Sequence, residues 1–332
     1  MNRWTALFGR AFLYQRGRVV AVLFLLLYAL LMALADDLLE PADAPDLRRQ
    51  VAATVAAPVA TARQFVFDSY QRLFPRQRQA QAVAIVGIDE NSLKVVGQWP
   101  WPRDRLAALI DAIAQHRPAA VGLDIYFPES DQTSPEQAAA RLAPDQAALA
   151  EALRALPSHD ARLASALRSA PSVLGAAGFQ FETLATTVGM RTFDVLQDGA
   201  DPRPFLPHYP FVLASLPPLQ AAAHGQALVS VEPTAVVRRV PLLARVGAQV
   251  TPSLAMEMLR VGYNQGPITV ETDRHGVRAV RVADQRYPTQ PGGDLWLHFA
   301  PQRQGESHRN ISALDLLQGR IGADGIQDKL VL

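Results

Sequence analysis

The chain has 332 residues, of which 49% are hydrophobic and 19% charged, and it contains no cysteine. It can therefore bury a sizeable core without covalent staples, and neither a disulfide scaffold nor a thiolate metal site is available to it. Its 32 basic and 31 acidic side chains leave a net charge of +1, with the arginines scattered rather than gathered on one face, so no footprint for nucleic acid is present.

The charge is uneven along the chain. Arg3, Arg10, Arg16 and Arg18 precede the first acidic residue, Asp36. Between them, Val19 to Ala35 is a run of 17 residues without a charge, at the short end of what spans a bilayer as a helix. Asp36, Asp37 and Glu40 close the run. Arginines before it and acids after it orient the helix with its N-terminus in the cytoplasm. Residues 1–18 are thus expected to be a cytoplasmic segment, 19–35 a transmembrane signal anchor, and the rest extracytoplasmic, in the periplasm of a cell with an inner membrane. A cleaved signal peptide is the competing reading, since Ala33, Leu34 and Ala35 form a small-x-small site. The apolar run and the lead before it are both longer than a signal peptide usually has, which favours the uncleaved anchor.

Residues 36–80 are expected to form a juxtamembrane helical stalk. Leu47, Val51, Val55, Val59, Ala62 and Val66 recur at spacings of three and four, and Pro58 should kink the helix. The stripe either packs on the following domain, the plainer reading, or pairs two copies into a homodimer.

Residues 81–332 read as an α/β domain, a mostly parallel mixed sheet with flanking helices. Ala82 opens AVAIVGID, a continuous apolar run ending in Gly87 and Asp89, the pattern of a strand buried on both faces. AAVGLDIYF from Ala119 is a second such run and ends at Asp124. Between them Leu106, Leu109, Ile110 and Ile113 share a helical face over 104–116, stopped by Pro118. The three form a βαβ unit. Residues 128–171 look like a surface insertion carrying two short helices. Further strands are expected at 172–179, 227–231, 236–246, 268–271, 277–282 and 295–299, with helices at 253–261 and 312–317.

Catalytic motifs are absent. The seven histidines show no two-ligand spacing, and no nucleophile elbow, P-loop or dinucleotide fingerprint occurs. Gly292, Gly293 and Asp294 match the start of a diguanylate cyclase signature, but Leu295 and Trp296 stand where it needs Glu and Phe. No catalytic residue, metal or cofactor is expected.

The remaining candidates surround the βαβ unit. Asp89 and Asp124 sit at the carboxyl ends of two strands, where open α/β sheets bind ligands. They either hold a cationic ligand or satisfy backbone donors in their own turns. Trp99 and Trp101, within WPWPR, either line a pocket or act as buried lids, and Arg103 is expected to pair with one of the two aspartates.

These residues also carry a resemblance. GIDENSLKVVGQWPWPRDRLAALIDAI, AAVGLDIYFPESD, VVRRVPLLARV with PSLAMEML, and ISALDLLQGRIG followed by KLVL together resemble the CHASE type 2 domain, from about Leu39 onward. This is an extracellular sensory domain of bacterial receptors, and the resemblance implies one preceding transmembrane helix and a following cytoplasmic output such as a nucleotide cyclase or a protein kinase. No output follows Leu332, and Lys329 to Leu332 reads as a strand cut short, so the domain is expected to be truncated. A departure lies at Glu232 to Val236, where the family pattern resembles an Asp-Gly turn before its arginine. The expectation is a non-enzymatic, ligand-sensing domain of a membrane-bound receptor, whose partner is a small-molecule or envelope ligand. The alternatives are a membrane-anchored protein-interaction module of the envelope and, more weakly, a metal-assisted hydrolase built on Asp89 and Asp124.

Overall fold

The computed structural model describes residues 61–76, 82–184, 186–187, 189–229, 236–263, 266–300 and 310–332, with two isolated helical positions, Leu23 and Leu26. No helix among the described residues is long and apolar enough to cross a membrane. The expected anchor at 19–35 lies outside them apart from those two positions, as do Pro58 and residues 232–235 of the departure. The described chain forms two units, one from the N-terminal segment to Gln77 with His298–Pro301, the other from Arg78 onward.

In the first unit the helix α1 spans residues 61–73. His298 Nε2 lies 2.8 Å from the Phe74 carbonyl, and the Phe299 N–H donates to Gln71 Oε1 at 3.0 Å. Phe65, Val66, Tyr70 and Leu73 are exposed.

The second unit opens with the predicted strand–helix–strand unit, with one further helix, over Glu90–Val96, that the sequence reading did not include. Strand β1 (Val83–Gly87) leads through α2 (Glu90–Val96) and α3 (Arg103–Gln115) to β2 (Ala120–Leu123). After α4 (Pro135–Ala140), α5 (Ala147–Arg154) and α6 (His159–Ser169) comes β3 (Ser172–Phe179). Then follow β4 (Val195–Gly199), β5 (His208–Tyr209), β6 (Phe211–Leu213), α7 (Pro217–Ala222) and β7 (Gly225–Leu228). The C-terminal part holds β8 (Arg239–Pro241), β9 (Leu243–Val246), β10 (Gln249–Pro252), α8 (Leu254–Gly262), β11 (Ile268–Asp273) and β12 (Gly276–Val282). It closes with β13 (Gln285–Pro288), β14 (Asp294–Trp296), β15 (Asn310–Ser312), α9 (Ala313–Leu317) and β16 (Leu330–Val331).

The class is mixed α/β, but a single mostly parallel sheet does not form. The strands divide among sheets of seven, four, three and two. The largest runs β15-β1-β16-β2-β3-β6, with β7 also on β3. The pairs β9–β10, β11–β12, β12–β13, β8–β14 and β3–β6 are antiparallel. Several of these are hairpins whose turns are far too short for the crossover that parallel pairing needs. Gly247, at φ 57°, makes the tight turn between β9 and β10.

Alternation along the strands builds three layers. Val121, Leu123 and Leu174 pack with α3, α6 and α9 in the main core, whereas Ala120 and Val173 face Leu254, Met258 and Val261 of α8. Gly122 leaves room there for the Met258 side chain, whose Sδ would lie 2.4 Å from an added Cβ.

Two further expectations change. Residues 128–171 are not merely a surface insertion: Leu163, Ala164, Ala166 and Leu167 of α6 are buried in the main core. The single strand expected over 236–246 divides after Pro241, which lacks an N–H for a continuing ladder. β8 pairs with β14, whereas β9 pairs with β10 and β5.

Candidate functional site

The carboxyl ends of β1, β16 and β2 open onto a cavity of about 630 Å³ beneath α2 and α3. Its wall is largely aliphatic, with Ile88, Leu93, Leu109, Ile110 and Leu123 among the lining residues. Asp124 and Trp99 stand at it together, Asp124 exposed and Trp99 45% exposed. Burial, and then the Asp124 charge, push the neighbouring Tyr126 phenol above its ordinary value.

Asp89 does different work. It is the N-cap of α2: its Oδ1 accepts from the Ser92 N–H at 2.8 Å and the Ser92 hydroxyl at 2.6 Å, and the Ser312 hydroxyl lies 3.1 Å away. The Ser92 hydroxyl first, then its N–H, hold the Asp89 carboxyl below the usual range, against a small opposing effect of burial. Ser92 is fully buried, and its oxygen accepts the Leu314 N–H at 3.0 Å, so the cap also locks α2 to the start of α9. In the sheet β16 lies between β1 and β2, placing those two strands about 10 Å apart, twice the usual strand spacing. Asp89 is engaged in its cap and does not line the cavity at which Asp124 stands, so the structure does not bring the two together at that cavity.

The tryptophans divide as well. Trp101 is 4% exposed and donates its Nε1–H to the Gly97 carbonyl at 2.7 Å, which makes it a tethered lid over the core. Only Trp99 reaches the cavity.

Arg103 corrects a specific expectation: its partner is neither Asp89 nor Asp124. The guanidinium pairs with Asp160, donates to the Glu129 carbonyl, and lies 5.2 Å from the Phe127 ring centroid. Its backbone N–H donates to Asp131 Oδ2 at 2.8 Å. Asp131 in turn accepts from the Thr133 N–H at 2.9 Å and hydroxyl at 2.8 Å, and stands 3.2 Å from His159 Nδ1. Burial opposes ionisation of Asp131, but the Arg103 and Thr133 donors and His159 outweigh it and hold the carboxyl low. This knot fastens the stretch after β2 to the first turns of α3 and α6. The string Asp-Gln-Thr-Ser-Pro-Glu over 131–136 spells the turn and the helix start. Nothing local marks the partnership of Arg103 with Asp160, 57 residues later.

On the other face of the sheet Arg260 makes a forked pair with Glu257, both contacts at 2.8 Å, and donates to the His224 carbonyl at 2.9 Å. The two side chains are 3% and 0% exposed. Burial pushes the Glu257 carboxyl up, and the Arg260 hydrogen bonds pull it back only in part. Gly225 makes room for this carboxylate, since a Cβ would lie 2.4 Å from Glu257 Oε1. Among the described residues no group of three or more histidine and carboxylate side chains is placed to hold a metal ion.

No curated protein and no solved structure is significantly similar to the chain. A family model described as the CHASE2 domain matches residues 50–332. That span includes the β1–α3–β2 unit with its cavity and runs to the final strand. CHASE2 domains are extracellular sensory modules rather than catalysts, and this chain belongs to the CHASE2 domain family.

Proposed function

We propose that the chain is the extracytoplasmic ligand-sensing part of a membrane-bound bacterial signal-transduction receptor. One N-terminal helix over 19–35 holds it in the inner membrane, and a cyclase or kinase output belongs to the same receptor beyond Leu332. The observation that carries the reading is the aliphatic cavity at the carboxyl ends of β1, β16 and β2, in a family whose members sense. A cavity of about 630 Å³ is within the range that holds a small ligand. Its apolar wall selects an apolar body, and Asp124 and Trp99 at its edge select what that body carries. Filling it would bring α2 and α3 to a fixed distance from the central strands, a mechanical change that a receptor can transmit.

The test is a thermal-shift screen of the full chain with small apolar compounds, benzene and indole among them, beside a Leu93→Trp variant that fills the cavity from α2. A raised midpoint for the parent and none for the variant supports the reading; no response in either overturns it. A reporter active only outside the cytoplasm, fused after Leu332, should be active, with the mature chain retaining Trp4. Cytoplasmic activity would overturn the orientation, and loss of the first 35 residues would replace the anchor by a cleaved signal peptide.

A further inference from the structure

A second cavity, of about 860 Å³, lies beyond the carboxyl ends of β3 and β7, walled mainly by stretches near residues 178–181, 205–209, 239–241 and 292–294. Two of its lining side chains form an ion pair, with Asp294 Oδ2 standing 3.4 Å from Arg239 Nη1. The surface that is built for a partner lies instead on α1.

That helix has two unlike faces. Phe67, Asp68 and Gln71 are half-buried, and on their side Gln71 accepts the Phe299 N–H. The opposite side carries Phe65, Val66, Tyr70 and Leu73, which are 72%, 66%, 54% and 72% exposed. Contiguous apolar surface left in water marks a place where another surface docks.

The stripe has the register of a coiled coil. Ala62, Val66, Ser69 and Leu73 recur at spacings of four, three and four, which puts Val66 and Leu73 at a positions and Ala62 and Ser69 at d positions of a heptad. In the sequence Val55 and Val59 precede them at the same spacing. A β-branched residue at a favours two parallel strands, and small side chains at d let two backbones approach closely. Phe65 then falls at g and Tyr70 at e. In a parallel pair a g residue meets the e residue five places further along the other helix, so Phe65 of each copy meets Tyr70 of the other, twice over by symmetry. Ring pairs of this kind add to the gain from burial alone. Arg63 and Arg72, at e and g, are nine places apart and do not meet in this register. A lipid surface would also take an apolar stripe, but it calls for neither small residues at d nor rings at g and e.

We propose that the exposed face of α1 pairs with the same face of a second copy of this chain as a parallel two-stranded coiled coil, with Val66 and Leu73 on the axis and Phe65 against Tyr70 across it. The pairing does not depend on what either cavity binds.

The experiment uses the absence of cysteine from the chain, which lets a single introduced thiol report on one position. In the full chain in mild detergent, Val66→Cys and Leu73→Cys should each cross-link to their twins on oxidation several-fold faster than Gln64→Cys, which is exposed but takes the outward f position. Light scattering should give two chain masses for the parent and one for Val66→Glu/Leu73→Glu. Both positions are exposed, so the double variant should keep the parent circular dichroism spectrum. Cross-linking no faster at 66 and 73 than at 64, a parent mass of one chain, or a dimer that survives the double substitution would each overturn the proposal. A monomeric parent that sediments with phosphatidylglycerol vesicles, and a double variant that does not, would overturn it in favour of a lipid surface.

Discussion

The two cavities lie beyond the carboxyl ends of one seven-stranded sheet and treat charge in opposite ways. The first is walled mostly by residues 85–125, close together in the chain, and keeps its one carboxylate, Asp124, exposed at the edge. The second is assembled from stretches spread over more than a hundred residues and encloses a carboxylate oxygen beside an arginine. The same contrast runs through the surrounding structure. Around α3, Asp89 and Asp131 sit in a cap and a turn where several N–H groups and hydroxyls satisfy them. Around β7 and α8 the charges are taken out of water as an ion pair, Glu257 with Arg260. Capping groups can be removed one at a time at modest cost, whereas half of a buried pair cannot.

Glu257→Ala breaks the pair outright. It strands Arg260 in the interior and opens a void beside Gly225, so a loss of about 3–5 kcal/mol is expected in denaturant unfolding of the full chain. A loss below about 1 kcal/mol would mean that Arg260 reaches water and that the contrast is weaker than the burial indicates.

Asp131→Ala removes the centre of the knot at the other end of the sheet and leaves the Arg103 N–H and the Thr133 donors without their acceptor. About 2–3 kcal/mol is expected, on the scale of a buried acceptor serving several donors. The effect carries a pH signature. The folded carboxyl titrates below its unfolded value of about 3.9, so the stabilisation is complete above that value and is lost as pH falls through the folded one. The gap in midpoint between parent and Asp131→Asn should narrow as pH is lowered from about 5 towards 2. A gap that stays constant or widens would show that the charge on Asp131 contributes nothing.

Asp89→Ala gives the smallest effect, about 1 kcal/mol, because only a helix cap on an exposed carboxylate is lost. Asp89→Asn should retain part of the cap, and the ligand response of the aliphatic cavity should be unchanged in both. Loss of that response with unchanged stability would return Asp89 to the binding site.

Much of the first region was legible in the sequence because its signals are local. Continuous apolar runs gave β1, β2 and β3, the three-and-four spacing of Leu106, Leu109, Ile110 and Ile113 gave α3, and Pro118 marked its stop. The same unit also placed Asp124 and Trp99 near the strand ends, where the structure has a cavity that both of them line. Trp101 and Arg103 were visible as unusual residues, but their partners were not. Gly97 and Asp160 meet them only after the backbone has turned and α6 has docked.

The sequence by itself determined the mixed α/β class, most of the long elements, the positions of Asp89 and Asp124 at strand ends, and the resemblance that the family match confirms. Only the tertiary structure decided which strands are neighbours. β16 has two residues, too few to show any period, yet it sits between β1 and β2 and parts the two aspartates. The chain changes sheet after Pro241, and four stretches remote from one another close around Asp294 and Arg239. Periodicity records which face of an element is buried, because each residue is solvated or not according to its own side chain. It does not record which other element covers that face. That choice is settled by the packing of all the elements against each other, weighed against the entropy of closing the long loops between them.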